Sequence, residues 1–145
     1  MFFLAHLAAG LIIGKLIQNY PVALAGALLI DIDHLVPYIK YKIIFDLKKL
    51  WKIITNPDDP YGNQRNYLHS IFAFILINLG IFLFDYRIGI AFSLGYLSHL
   101  FLDALDSSDF YPLYPIKLNV RGPIKYFSKT EFILTLALFV IFFFI

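Results

Sequence analysis

Ionisable side chains interrupt the most apolar stretches of this chain, and they restrict its fold more than any other feature. All four histidines lie inside such stretches or at their ends: His6, His34, His69 and His99. Asp31 and Asp33 precede the second of them, and Asp103 follows the last by one helical turn. Such groups are costly to bury in a membrane unless they are paired, hydrated or bound to a cation. We therefore treat them as a candidate functional site, with metal binding as the hypothesis to test.

The composition places the chain among integral membrane proteins. Hydrophobic residues make up 60% of its 145 residues and charged residues only 15%, which leaves too little polar surface to coat a soluble globule. The mean hydropathy of +0.74 agrees with this class. We expect a single integral membrane domain over residues 1–145. The net charge of +2 is small and the basic residues have a membrane explanation, so we expect no binding to nucleic acid.

Five apolar segments approach the length of a membrane-spanning helix, which is about 20 residues. They are residues 2–17, 21–35, 67–84, 88–105 and 131–145. Pro21 suits the start of the second segment, and Pro37 is expected to mark its end. That segment is short enough to be a partial span packed inside the bundle. The first segment lacks a charge before Lys15 and a convincing cleavage site, so we expect it to be retained.

The connection between the second and third segments, residues 37–66, mixes lysines with large apolar residues. Ile43, Leu47, Leu50 and Ile54 recur at helical spacing. This spacing favours an amphipathic helix on the membrane surface over a partly ordered loop. The predicted fold class is all-α: a polytopic membrane helical bundle with about five transmembrane or partly spanning helices and one interfacial amphipathic helix.

The distribution of positive charge predicts the orientation. All but two of the 12 Lys and Arg residues lie in the connections 37–66 and 106–130, and the exceptions are Lys15 and Arg87. The positive-inside rule then places both connections and the N-terminus in the cytoplasm. We expect a multi-pass protein of the cytoplasmic (inner) membrane whose C-terminus lies outside. In this topology the polar groups of four helices reach the same leaflet.

The spacing within the segments is compatible with a metal site. The chain has no cysteine, so imidazole and carboxylate groups must hold any metal. His99 and Asp103 share a helix face, and Gly95 one turn earlier would let a neighbouring helix approach. Asp33 is either a ligand or an outer partner that orients an imidazole. The candidate metal ligands are His6, Asp31, Asp33, His34, His69, His99 and Asp103.

Several motifs together resemble the YdjM-like family of membrane-bound metal-dependent hydrolases. They are an N-terminal histidine, DIDH at residues 31–34, a helix that opens with His69-Ser70, and GYLSHLFLDAL followed by YPLYPI. The resemblance covers the chain to about residue 123. It implies a small inner-membrane helical protein with a divalent metal, zinc in the first place, and hydrolytic chemistry. The polar positions of the family match the seven candidate ligands named above.

The chain departs from the family pattern at several positions. The usual HRGxTHS reads QRNYLHS over residues 64–70, so Gln64 and Leu68 replace a histidine and a threonine. Ile30 replaces the proline of PDxDH, and DSSD at residues 106–109 replaces TPxG. The lost histidine would mean one metal fewer, a weaker site or an inactive relative. Asp106 could compensate, although a solvated helix end is its expected role.

The first functional hypothesis is a membrane-embedded metal-dependent hydrolase at the cytoplasmic lipid interface. A divalent ion, zinc or manganese, would activate water against a phosphoester or another bond of a lipid-like substrate. Asp33 or Asp31 would act as general base. Arg65 would bind a phosphate. An equal interpretation is that Arg65 anchors the chain at the level of the lipid headgroups.

Two other classes of function remain open. A structural or interaction membrane protein with a degenerate metal site is favoured by Gln64 and Leu68. A divalent-cation carrier would use the same ligands, but it needs a polar path to both faces, and the outer halves of these segments offer few polar residues.

Overall fold

A computed structural model describes residues 1–55, 65 and 67–145 of the chain. Helices dominate it: α1 Phe3–Ile17, α2 Tyr20–Leu28, a 3-10 helix Leu29–His34, α3 Leu35–Lys40, α4 Leu47–Thr55, α5 Ile71–Phe84, α6 Tyr86–Leu105 and α7 Lys129–Phe144. Within these residues β pairing is limited to two isolated bridges in the connection after α6. The prediction of an all-α chain is confirmed.

Short polar side chains fix where the helices begin. The side chains of Asn19, Ser70 and Ser128 accept hydrogen bonds from the first-turn N–H groups of α2, α5 and α7. Asp85 ends α5 and caps the start of α6 by accepting from Arg87 N at 2.7 Å. Such caps satisfy backbone donors that have no partner within the helix. The α5–α6 hairpin is therefore tight.

Two helical segments in the described part of the chain are long and apolar enough to cross a membrane. They are Tyr20–Lys40, which joins α2, the 3-10 helix and α3, and Tyr86–Leu105. The apolar helices α1 and α5 are shorter, at 15 and 14 residues. The prediction of about five transmembrane or partly spanning helices stays a prediction beyond these two candidate spans.

The second apolar segment continues past the position where the sequence indicated its end. It runs to Lys40 instead of stopping before Pro37. The 3-10 helix changes the backbone register, so that Pro37 falls in the first turn of α3. A proline is tolerated there because first-turn N–H groups have no acceptor within the helix. The expected end at Pro37 is wrong, and the segment is long enough to be a full span.

A helix also forms in the basic connection, as predicted. It is α4, where Leu47 and Trp51 are exposed beside three lysines. Ile43 precedes the helix and is buried, which shortens the predicted amphipathic stretch at its start. Its location on a membrane surface stays a prediction.

Glycines bring α2 and α6 into backbone contact. A Cβ on Gly95 would overlap the carbonyl oxygen of Ala23, and a Cβ on Gly26 would overlap that of Phe92. The close approach predicted at Gly95 is confirmed. Small residues at such a crossing let two helix backbones pack directly.

The helix directions collect the polar groups at one end of the bundle. Gly10 of α1 packs against Ala27, and Gly14 packs against Tyr20, so α1 and α2 are antiparallel. At the two ends of α7, Glu131 accepts from Phe2 N at 2.6 Å and Phe142 O accepts from Lys15 at 3.1 Å, so α7 is parallel to α1. The candidate ligands of α1, of the 3-10 helix and of α6 therefore meet near the start of α5.

Candidate metal centre

Four potential ligand atoms converge in the structure, and we call their residues Asp31, His69, His99 and Asp103 the metal quartet. His69 Nε2 lies 3.1 Å from His99 Nε2, 3.7 Å from Asp31 Oδ1 and 3.4 Å from Asp103 Oδ2. His99 Nε2 lies 3.6 Å from the same Asp31 oxygen and 3.4 Å from the same Asp103 oxygen. Tetrahedral zinc with bonds of about 2.0–2.1 Å separates its ligand atoms by roughly 3.3 Å. The separations from the two imidazole nitrogens to each other and to the two carboxylates are close to this value.

The outer ring nitrogens of the two histidines are already engaged. His69 Nδ1 lies 3.3 Å from Asp33 Oδ2, and His99 Nδ1 lies 2.7 Å from the carbonyl oxygen of Ala27. Because a carboxylate and a carbonyl only accept, each Nδ1 carries the proton, and in neutral rings both Nε2 atoms present lone pairs. Two lone pairs at 3.1 Å repel each other unless a cation lies between them. The hydrogen bonds thus orient both imidazoles as ligands.

Asp33 lies beside the outer nitrogen of His69, where it can orient the imidazole ring. Its Oδ2 accepts from Leu68 N at 2.7 Å as well as from His69 Nδ1. The 3-10 helix turns Asp33 to this position while Asp31, two residues earlier, faces the quartet. Of the two roles that the sequence left open, the geometry favours the outer partner. Its role as ligand or general base stays a prediction.

The quartet is buried except at one edge. His69, His99 and Asp103 are buried, whereas the side chain of Asp31 is 31% exposed and forms the rim. Among the described residues, Asp103 Oδ2 is a buried atom without a hydrogen-bond partner. A buried carboxylate oxygen that accepts no hydrogen bond is costly, and a bound cation would offset that cost. The donor set, imidazole nitrogens and carboxylate oxygens, is therefore able to hold a divalent metal ion.

His6 belongs to a second group with His99 and Asp103, whose ligand atoms lie within 4.8 Å of one another. Its ring stacks on that of His99, with the centroids 3.9 Å apart. Its Nε2 lies 3.4 Å from Asp103 Oδ1, whereas Nε2 of each quartet histidine lies 3.4 Å from Asp103 Oδ2. The structure thus brings His6, the most isolated candidate in the sequence, to the centre.

His34 lies beside the centre without joining either group. Its Nδ1 is 3.1 Å from the backbone oxygen of Asp31 and 3.4 Å from Asp31 Oδ1. Its ring is 5.4 Å from that of His69, centroid to centroid. His34 therefore contacts the rim residue, and its predicted role as a ligand is not tested by this geometry.

Arg65 and Asp106 form a buried ion pair next to the quartet. Arg65 Nη2 donates to Asp106 Oδ2 at 2.8 Å, and Arg65 Nε lies 3.5 Å from Asp103 Oδ2. The Met1 ammonium lies 2.9 Å from Asp106 Oδ2 and 2.6 Å from Asp103 Oδ1. Although burial raises the pKa of Asp106, the ammonium and the guanidinium outweigh it and hold that pKa below its ordinary value.

The expectation that Asp106 lies at a solvated helix end is therefore wrong, because the carboxylate is fully buried. It follows α6 directly, and it is enclosed by Arg65, Met1 and the N–H of Ser108. These cationic partners are far away in the sequence. A pattern read along α6 alone could not have found them.

The charge balance of the centre favours the binding of a cation. Among the described residues, the carboxylates of Asp31, Asp33, Asp103 and Asp106 outnumber the two cations that face them, Arg65 and the Met1 ammonium. With neutral histidines, an excess of negative charge remains around the quartet, which favours an added cation. Gln64, where the family pattern has a histidine, lies outside the described residues.

The fold and the site together define a class: a helical membrane protein with a buried cluster of histidines and aspartates able to hold a metal ion. A family model described as YdjM inner membrane protein matches residues 1–145. The chain belongs to this family of inner membrane proteins, which confirms the resemblance and extends it to the whole chain. No curated protein and no solved structure matches the chain.

Proposed function

We propose that the chain is a metal-dependent hydrolase embedded in the inner membrane, which cleaves a phosphoester of a lipid or another amphiphile at the cytoplasmic interface. The observation that carries the proposal is the metal quartet, in which two oriented imidazoles lie 3.1 Å apart and each lies 3.4 to 3.7 Å from both carboxylates. Hydrolases use this donor chemistry to bind a metal that activates water.

Within the quartet, the buried members His69, His99 and Asp103 would hold the ion. A zinc or manganese ion bound there supplies a water of lowered pKa and polarises a phosphoryl oxygen. Asp33 keeps the His69 ring in the ligand orientation through its hydrogen bond to Nδ1. The burial of His69, His99 and Asp103 excludes bulk water, which strengthens the electrostatic interactions at the reacting atoms.

Asp31 is the quartet member through which a substrate would arrive. Its partial exposure places a carboxylate at the opening, where it would accept the proton of the attacking water as general base. Asp33 was the other candidate for this role, but two donors already occupy its Oδ2. We therefore assign the base to Asp31.

Arg65 would contribute positive charge for the phosphate. It is only 7% exposed and lies against Asp103 and Asp106, which supports a role in the site over one as a headgroup anchor. Its guanidinium would bind phosphate oxygens while Asp106 holds its position.

The distribution of positive charge supports a cytoplasmic location of the proposed site. The two basic connections lead from α3 to α5 and from α6 to α7, and they join helix ends at the same end of the bundle as the quartet. Under the positive-inside rule this end faces the cytoplasm, with the N-terminus on the same side. A site at that depth favours substrates that partition into the membrane.

The alternative of a degenerate site is less well supported by the geometry. The two histidines are oriented although Leu68 replaces a threonine, and Leu68 itself contributes backbone hydrogen bonds to Asp33 and Tyr96. A carrier would need a polar path beyond the quartet. Asn78 and Ser93, which are buried between α5 and α6, satisfy each other by a hydrogen bond.

Elemental analysis of the detergent-purified chain, followed by hydrolysis assays on vesicles that contain phosphatidic acid, tests the proposal. We expect bound zinc or manganese and phosphate release that stops with chelator and returns with either metal. The matched control is Ser93→Ala, which removes a buried polar group of α6 outside the quartet and should keep both properties. Ion uptake into proteoliposomes without any hydrolysis would favour the carrier, and absence of bound metal would refute the proposal.

A further inference from the structure

The two oxygens of the Asp103 carboxylate face different partners. Oδ2 lies 3.4 Å from Nε2 of both His69 and His99, and it belongs to the metal quartet. Oδ1 lies 3.4 Å from His6 Nε2. A carboxylate in this arrangement can bridge two cations, one on each oxygen, as in two-metal sites.

His6 is a buried side chain that lacks hydrogen-bond partners among the described residues. Its side chain is 1% exposed, and within the part of the chain that the structure describes neither of its ring nitrogens has a hydrogen-bond partner. Stacking against His99 fixes the orientation of the ring. An unsatisfied buried imidazole destabilises the fold, and a cation on Nε2 would offset that cost.

We propose that a second divalent cation binds between His6 Nε2 and Asp103 Oδ1, with Asp103 bridging it to the ion of the quartet. This inference rests on the proposed metal centre and adds a second ion to it. The Met1 ammonium, 2.6 Å from Asp103 Oδ1, indicates that this oxygen attracts positive charge in the folded chain. The second ion would share or displace that contact.

The charge of the centre determines when the second ion enters. The first divalent ion offsets most of the excess negative charge of the carboxylates. A further divalent ion therefore needs an additional anion, and a phosphate dianion provides it. Two ions about 3.5–4 Å apart would then hold the phosphate between them, which is the arrangement that stabilises the attacking and leaving oxygens in phosphoester hydrolysis.

Manganese and inorganic phosphate are the probes for this proposal. The full chain in detergent is loaded with Mn²⁺ with and without phosphate, the bound metal per chain is measured after gel filtration, and electron paramagnetic resonance reports whether two ions are spin-coupled. We expect one ion without phosphate, and two with a coupled signal when phosphate is present. His6→Gln should remain at one ion under both conditions, while the control Ser93→Ala should reach two.

The outcomes separate this proposal from the hydrolase proposal. A wild-type chain that stays at one uncoupled ion with phosphate, yet hydrolyses its substrate in a chelator-sensitive way, overturns only the second ion. Two ions in His6→Gln would overturn the assignment of His6. No bound manganese or zinc in the wild type would remove both proposals. If His6→Gln fails to fold, the wild-type chain alone tests the second ion. A spin-coupled signal with phosphate supports it, and an uncoupled signal overturns it.

Discussion

His99 donates its Nδ1 proton to the carbonyl oxygen of Ala27 across the α2–α6 crossing, at 2.7 Å. The bond exists because Gly26 and Gly95 let the two backbones touch. A helix crossing therefore sets the tautomer and the direction of a proposed metal ligand, so that helix packing and the proposed chemistry depend on the same few atoms.

Gly95→Ala tests this dependence. The added Cβ would overlap the carbonyl oxygen of Ala23, which is backbone and cannot turn away. We expect the helices to separate, with a loss of about 1–3 kcal/mol in stability and weaker metal binding, since the Ala27–His99 bond lengthens. The measurements are thermal unfolding in detergent and metal titration. Gly80→Ala is the control, because its added Cβ would have no heavy atom within 4 Å. Equal behaviour of the two variants would contradict the prediction.

Substitution of a quartet ligand should reduce binding of the first ion far more than substitution of His6. His99→Ala or Asp103→Ala removes one ligand bond from a buried site, so we expect bound metal to fall at least tenfold, on the order of 1.4 kcal/mol or more. His6→Ala should leave the first ion largely in place. Elemental analysis of the three purified variants gives the answer, with Ser93→Ala as control. Full retention of metal in both His99→Ala and Asp103→Ala would rule out the quartet.

Asp33→Asn should weaken metal binding without removing a quartet ligand. The neutral amide holds the His69 ring less firmly than the carboxylate, and substitutions at such outer partners typically cost about 10–100-fold in affinity. Asp109→Asn is the matched control, since this carboxylate pairs with Arg121 and Asn119 in the connection after α6. Competition with a fluorescent chelator measures both affinities. Unchanged affinity in Asp33→Asn would mean that the hydrogen bond does not tune the ligand.

The sequence was sufficient to predict an all-α chain and to name the residues that converge in the candidate site. Their signals are local: apolar length for the helices, and a four-residue spacing for His99 and Asp103. The 3-10 helix was not predicted, because it depends on how Asp31 and Asp33 divide between the quartet and His69. The burial of Asp106 was missed for a similar reason, since its cationic partners come from distant segments.

Arg65→Lys should separate substrate binding from metal binding. Lysine keeps the positive charge beside Asp106 but lacks the planar, two-pronged donor geometry that suits a phosphate. We expect bound metal to be retained while KM for a phosphoester substrate rises severalfold. Arg121→Lys, which alters an exposed ion pair, provides the control. A parallel loss of metal and activity in Arg65→Lys would instead indicate that Arg65 supports the ligands and not the substrate.

Cysteine labelling should determine on which side of the membrane the quartet opens. The natural chain contains no cysteine, so single substitutions at Lys48, Arg87 and Lys125 can be labelled without background. Lys48 and Lys125 lie in the basic connections at the quartet end, whereas Arg87 lies in the α5–α6 hairpin at the other end. Because positive charge is retained on the cytoplasmic side, a membrane-impermeant maleimide should label intact cells only at Arg87→Cys. Lys48→Cys and Lys125→Cys should react only after the cytoplasmic face is opened. The opposite pattern would place the quartet at the outer face and would replace cytoplasmic-leaflet lipids with external amphiphiles as the candidate substrates.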